Sequence, residues 1–179
     1  MTASLSKKVA LVATLVAVGS VVRFGIGELA MITPTPFYGV VVKVGLSETL
    51  TFIMGIIYGP VVGFLGGSSI IVISDLPVQP GPWTPFIGGI IGAVFGIGGA
   101  ILRRFARSGP NSLWFASSAV ILTVISEFLQ NWWITLFYGV PLLASMISGI
   151  PSLITALVNN TILFTVLAPR VISTIQEQM

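Results

Sequence analysis

The chain has 179 residues, 55% of them hydrophobic and only 7% charged, with a net charge of +3 and a mean hydropathy of +1.05. Soluble domains carry roughly 25% charged residues, so so few charges cannot solvate a globule of this size, and the class is an all-α integral membrane protein. With no His and no Cys, disulfides, thiolate nucleophiles, haem and most zinc chemistry are excluded, and the small positive charge gives no footing for nucleic acid.

A helix needs about 20 apolar residues to cross a bilayer, and six stretches qualify as transmembrane helices. The first is about Val9–Gly27. Lys7–Lys8 ahead of it resembles the start of a cleavable signal, but Arg23 and Glu28 stand where a small-residue cleavage site would be, so the helix is read as retained. The second is about Phe37–Tyr58 and the third a short Val61–Ser74. A compact knot containing Asp75, Gln79, Trp83 and several prolines leads into the fourth, about Pro85–Leu102. The fifth is about Ser112–Tyr138, and the sixth about Leu143–Ala168, where Pro169 and Arg170 close it. No stretch resembles a soluble domain, so residues 1–179 form one domain.

Lys7 and Lys8, then Arg103, Arg104 and Arg107, then Arg170 all fall on one side of an even number of helices. By the positive-inside rule that side is the cytoplasm, and both termini lie there. The loop carrying Gln79 and Trp83 then faces outward. Helices three and four as re-entrant half-helices would keep the same sidedness.

Small residues recur at four-residue spacing: Ala13 and Ala17, Gly55, Gly59 and Gly63, and Gly88, Gly92 and Gly96. Such faces let backbones approach closely in lipid. Packing explains the glycines. For the alanines, packing and a partner-binding face are equally open.

Charges within membrane helices are functional candidates by default. Glu127 lies deep in the fifth helix, in a polar stripe of Thr123, Glu127, Asn131 and Thr135, with Trp132 and Trp133 beside it. The sixth helix carries Ser145, Ser148, Ser152, Thr155 and Asn159 at the helical period. Two facing stripes with aromatics toward the outer half describe a small pocket opening outward; interhelical hydrogen bonding without a ligand is the rival explanation. Arg23, Glu28, Lys43 and Glu48 read as a structural ion-pair cluster, with Arg23–Glu48 its first candidate pair. Asp75 ends the third helix, facing the external vestibule. No nucleophile elbow, phosphate loop, zinc motif or acidic metal cluster is present, so neither an enzyme nor a metal site is expected.

Six short helices, the AxxxA of Ala13–Ala17, YGPVVGFLGG at the second turn, GGIIGAVFGIGGAILRR and IPSLITALVNNTILFTVLAPRV together resemble the substrate-binding S component of energy-coupling factor (ECF) transporters. The resemblance covers nearly the whole chain. It implies a prokaryotic plasma-membrane receptor for a vitamin-like molecule, delivering it inward with a membrane coupling protein and two ATP-binding-cassette ATPases, which use the ATP; this chain needs no cofactor. It implies docking on the coupling protein through Ala13 and Ala17. It points to Glu127, Asn131, Trp133 and Ser152 as pocket residues, with Trp83 and Gln79 from the outward loop; Ser148 and Asn159 join them by position on the polar stripe. The metal-carrying branch of the family uses a His motif, which this chain lacks. One acid, amides, hydroxyls and aromatics suit an aromatic ligand, neutral or cationic: thiamine-like, pyrimidine-like or deazapurine-like. The competing function is a stand-alone secondary carrier or channel with Glu127 as its intramembrane acid.

Overall fold

The computed structural model describes residues 5–32, 45–77, 83–107 and 111–178, and every element among them is a helix. We number them α1 (Leu5–Ile32), α2 (Leu46–Tyr58), α3 (Pro60–Asp75), α4, α5 (Ser112–Tyr138) and α6 (Leu142–Gln178). Helix α4 runs through three continuous pieces, Trp83–Ile91, a π-helical turn at Gly92–Ile97, and Gly98–Arg107. Three segments are long and apolar enough to cross a membrane: Thr84–Arg103, Ser112–Tyr138 and Leu142–Glu177. Val9–Gly25, Leu46–Tyr58 and Pro60–Asp75 are shorter apolar helices.

Several helix ends differ from the sequence expectation. Helix α1 extends past its apolar run at both ends, because Lys and Glu are good helix formers that solvate a helix outside lipid. The second helix begins at Leu46 rather than Phe37. Gly45 caps it, its carbonyl accepting the Thr49 N–H at 3.0 Å and the Thr49 Oγ1–H at 2.7 Å; residues 37–44 lie outside the described residues. Helix α4 runs on to Arg107, since Arg103, Arg104 and Arg107 carry it beyond the apolar stretch. The sixth helix does not stop at Pro169 but continues to Gln178. A proline costs one backbone hydrogen bond, and here the following turns bury Ile172 and Ile175 on the face that Ala168 begins.

Helices α2, α3 and α4 pack backbone to backbone. A Cβ on Gly63 would lie 2.7 Å from Gly55 Cα and 2.8 Å from the Gly96 carbonyl oxygen. One on Gly96 would collide with the Gly63 carbonyl, and one on Gly55 with Gly96. These three glycines therefore form a junction that no other residue fits. Along α4, Gly88 and Gly92 face Ser68 and Phe64 of α3. Beyond the π turn the contacts pass to other helices: Gly99 meets Phe52 of α2 and Gly98 meets Leu122 of α5. The tight α2–α3 connection needs Gly59 at φ 97°, with Pro60 opening α3.

Below this junction the core closes with rings. Phe52 lies 4.5 Å from Phe164 and 6.3 Å from Phe115, centroid to centroid, and Phe95 lies 6.1 Å from Phe164. These side chains join α2, α4, α5 and α6. Helix α5 is defined at both ends by its caps: Asn111 Oδ1 accepts the Leu113 N–H at 3.0 Å, and Gly139 at φ 66° closes the last turn. A short connection then turns the chain into α6. The ends of α1, α3 and α5 and the starts of α4 and α6 consequently share one end of the bundle, whereas α2 starts deeper, with Gly45 against Asn160 of α6.

Candidate ligand site

A cleft of about 80 Å³ opens between α5 and α6 in this half of the bundle. Val124, Glu127, Phe128 and Asn131 line it from α5, and Met146, Gly149 and Leu153 from α6. Each set falls on one helical face because its spacings are three or four residues. Glu127 is buried, at 6% exposure. Asn131 is held through its amide and its carbonyl. Its Nδ2 donates to the Glu127 carbonyl at 2.8 Å, and Ser145 Oγ donates to its Oδ1 at 2.8 Å and to its carbonyl at 3.3 Å. Gly149 makes room for that amide; a Cβ there would stand 3.0 Å from both its nitrogen and its oxygen. The cleft is almost wholly apolar at its surface, with the Glu127 side chain and the oriented Asn131 amide set into its wall. It is much smaller than the roughly 300–1,000 Å³ of a ligand pocket, so it suits one polar group of a ligand rather than a whole vitamin.

Trp133 points elsewhere. It lies about 200° around α5 from Asn131, and stacks on Phe86 of α4 at 4.2 Å and 26°. Phe137, one turn on, lies 3.7 Å from it. The indole Nε1 is buried and has no hydrogen-bond partner. Gln130 and Ser126 lie on the same α5 face, one and two turns deeper, with Gln130 Nε2 donating to Ser126 Oγ at 3.0 Å.

The serine stripe of α6 is rotated from the buried face. Ser145, Gly149, Leu153, Ala156 and Asn160 turn toward the bundle; Ser148, Ser152, Thr155 and Asn159 each precede a position on that face and lie about 100° away. The Ser148 hydroxyl donates to the Ser145 carbonyl at 2.9 Å, and Thr155 bonds the Ser152 carbonyl at 2.9 Å. Ser152 and Asn159 are half-buried, whereas Asn160 is fully buried, its Nδ2 donating to Thr123 Oγ1 at 2.8 Å. Asn159 fits the predicted stripe and Asn160 stands one residue off it, yet Asn160 is the one the helix turns inward. Gln79 lies outside the described residues, and so does the Trp83 side chain, although Trp83 opens α4. Ala13 and Ala17 sit on the exposed face of α1 with Val9, Val21 and Phe24.

The expected Arg23–Glu48 pair is replaced by Arg23–Asp75. Arg23 Nε donates to Asp75 Oδ1 and Nη2 to Oδ2, both at 2.8 Å, a bidentate geometry that fixes both groups. Ser74 Oγ donates to the same Oδ1 at 2.7 Å. Asp75 therefore ties α3 to α1 instead of facing a vestibule. Glu48 adds only a longer-range attraction to the guanidinium, and its own carboxylate accepts from Ser47 Oγ. Charge complementarity at one end of the bundle was the available signal: Arg23 and Asp75 were both placed in the outer layer by the sequence. Among the described residues no three His, Cys, Asp or Glu side chains gather into a metal-binding group.

A family model described as ECF-type riboflavin transporter, S component, matches residues 5–173. No curated protein and no solved structure matches the chain.

Proposed function

We propose that this chain, which belongs to the ECF-type riboflavin transporter S component family, captures riboflavin at the outer face of a prokaryotic plasma membrane and hands it inward. Family membership makes it a substrate-binding membrane subunit of an ECF transporter. The match over residues 5–173 is the observation that carries the flavin reading. Riboflavin is aromatic and neutral, the chemistry that one acid, several amides and a ring cluster suit. Glu127 accepts hydrogen bonds from the ligand's N–H or hydroxyl groups, and the oriented Asn131 amide adds a donor. The Phe86–Trp133–Phe137 rings lie on the other side of α5 from the α5–α6 cleft and receive the flat part of the ligand, which leaves Glu127 and Asn131 to its polar groups. Gln79 and Trp83, from the connection between α3 and α4, close over it, and Ser148, Ser152 and Asn159 offer further polar contacts.

In this reading six helices span the bilayer and both termini are cytoplasmic, since Lys7, Lys8, Arg103, Arg104, Arg107 and Arg170 belong to the end opposite the ligand. The exposed α1 face centred on Ala13 and Ala17 docks on the coupling protein, and two ATPases supply the energy.

The test is a riboflavin titration of the purified protein by flavin fluorescence, with mass spectrometry of molecules retained through purification. Micromolar or tighter binding is expected. Absence of any flavin bound or retained sinks the riboflavin assignment. Glu127→Gln should weaken binding by about tenfold, the worth of one hydrogen bond to a charged acceptor. Ala13→Trp should weaken co-purification with the coupling protein and ATPases while riboflavin affinity stays unchanged. Riboflavin uptake by this chain in cells lacking the ATPases would restore the stand-alone carrier with Glu127 as its working acid.

A further inference from the structure

We infer that Trp133 is a specificity-determining residue that donates its indole N–H to an acceptor on the ring system of the bound flavin. The inference rests on the riboflavin reading above and deepens it. A buried N–H without an acceptor is rare in folded proteins, and Trp133 Nε1 is one. Indole N–H groups usually find a partner when buried. Packing alone does not explain the choice of tryptophan here, since its neighbours Phe86 and Phe137 do the same ring contacts without a donor. The indole is clamped by those rings, so its N–H direction is set before any ligand arrives, which is what a selective donor requires.

Two features assign the donor to the ring system and not to the ribityl chain. The indole that carries Nε1 is flanked by two aromatic rings, Phe86 and Phe137. A chain of hydroxyls would lose its water there with one donor in return, whereas a ring carbonyl or ring nitrogen needs only one. On the same α5 face the polar groups lie deeper, Gln130 and then Ser126, spaced three and seven residues before Trp133. The face is thus graded from aromatic near the end of α5 to polar deeper along it, and a molecule with a flat aromatic end and a hydroxylated tail matches that order.

The experiment compares riboflavin with lumiflavin, which keeps the ring system and lacks the ribityl chain, by calorimetric titration of wild type and Trp133→Phe. Phenylalanine keeps a ring in the cluster and deletes only the donor. Both ligands should lose about tenfold in affinity on that substitution, and the ligand-free variant should unfold at the wild-type temperature or above it. In ¹⁵N-indole spectra, one of the four tryptophan N–H signals should move downfield on flavin binding and be missing in Trp133→Phe. Unchanged affinity for both ligands overturns the role of Trp133 and leaves the riboflavin reading standing. Loss confined to riboflavin moves the donor to the ribityl chain and overturns the ring assignment. A wild-type protein that binds neither flavin overturns the riboflavin reading itself, and this inference with it. The spectral readout stays decisive if the variant does not fold, because a wild-type spectrum with no indole shift refutes the contact.

Discussion

Helices α2, α3 and α4 form one kind of structure, and α5 with α6 another. In the first group, backbones touch at Gly55, Gly63 and Gly96, and α2 is buried from Ser47 to Ile57. In the second, two long helices meet through side chains: Asn131 with Ser145, and Thr123 with Asn160. Contacts between backbones admit no change of residue and little movement, because nothing flexible lies between the surfaces. Contacts between polar side chains can be exchanged for contacts to a ligand. The first group is built to hold a shape. The second turns Glu127 and Asn131 to the cleft and Trp133 to Phe86 on another face of α5, and is where the proposed recognition would vary without loss of the fold.

The contrast is broken most directly at the glycine junction. Gly96→Leu should yield no folded protein, and Gly96→Ala should cost about 1–3 kcal/mol, read as a lower unfolding temperature in detergent. The clash is with the Gly63 carbonyl, and neither backbone can rotate away. Gly149→Ala is the control in the other group. Its Cβ meets the Asn131 amide at 3.0 Å, a side chain that can yield, so stability should fall by less than about 1 kcal/mol while flavin binding weakens. Equal losses of stability at the two sites would erase the distinction.

Between these extremes stands the Arg23–Asp75 pair, which fastens α1 to the rigid group. Both side chains are about a quarter exposed. Asp75→Leu leaves a guanidinium without its carboxylate and should cost about 2–4 kcal/mol. Exchange of the two charges, Arg23→Asp with Asp75→Arg, should recover part of that loss in the same melting experiment. If Asp75→Leu melts like wild type, α1 is held by its apolar packing, Leu11, Val12, Leu15 and Val16 against the core and Gly19 and Ser20 against Ile70.

What was legible in the sequence divides along the same line. The glycine spacing announced close packing, and spacing is a one-dimensional property that survives folding. The ends of α5 were readable because Asn111 and Gly139 are local signals, satisfied within a turn. The start of α2 was not, because an apolar run of 37–58 reads as one helix while Gly45 interrupts it through its own cap. Rotation was harder still. Periodicity finds a stripe but does not say which neighbour it faces: Ser148 and Gly149 differ by one residue and about 100°, and the structure turns Gly149 to the cleft. Pairing of charges failed for a related reason. The sequence paired Arg23 with Glu48 and left Asp75 to the vestibule, and only the packing of α1 on α3 brings Asp75 to the guanidinium.

The smallest expected effect tests the remaining misreading, the end of α6. Pro169 lacks the N–H that would bond the Thr165 carbonyl, yet the helix carries on and buries Ile172 and Ile175. If the tail is held by that burial, the proline is a local cost that packing outweighs. Pro169→Ala then restores one backbone bond, and this gain is partly offset by the greater freedom of an alanine-containing unfolded chain. The net should be a stabilisation of about 1 kcal/mol or less, seen as a slightly higher unfolding temperature with flavin affinity unchanged. A proline that terminates the helix would behave differently. Its replacement would leave the unfolding temperature where it was, and removal of residues 170–178 would cost nothing. With the tail packed as it is, that removal should instead lower the unfolding temperature, since it strips two isoleucines from the core.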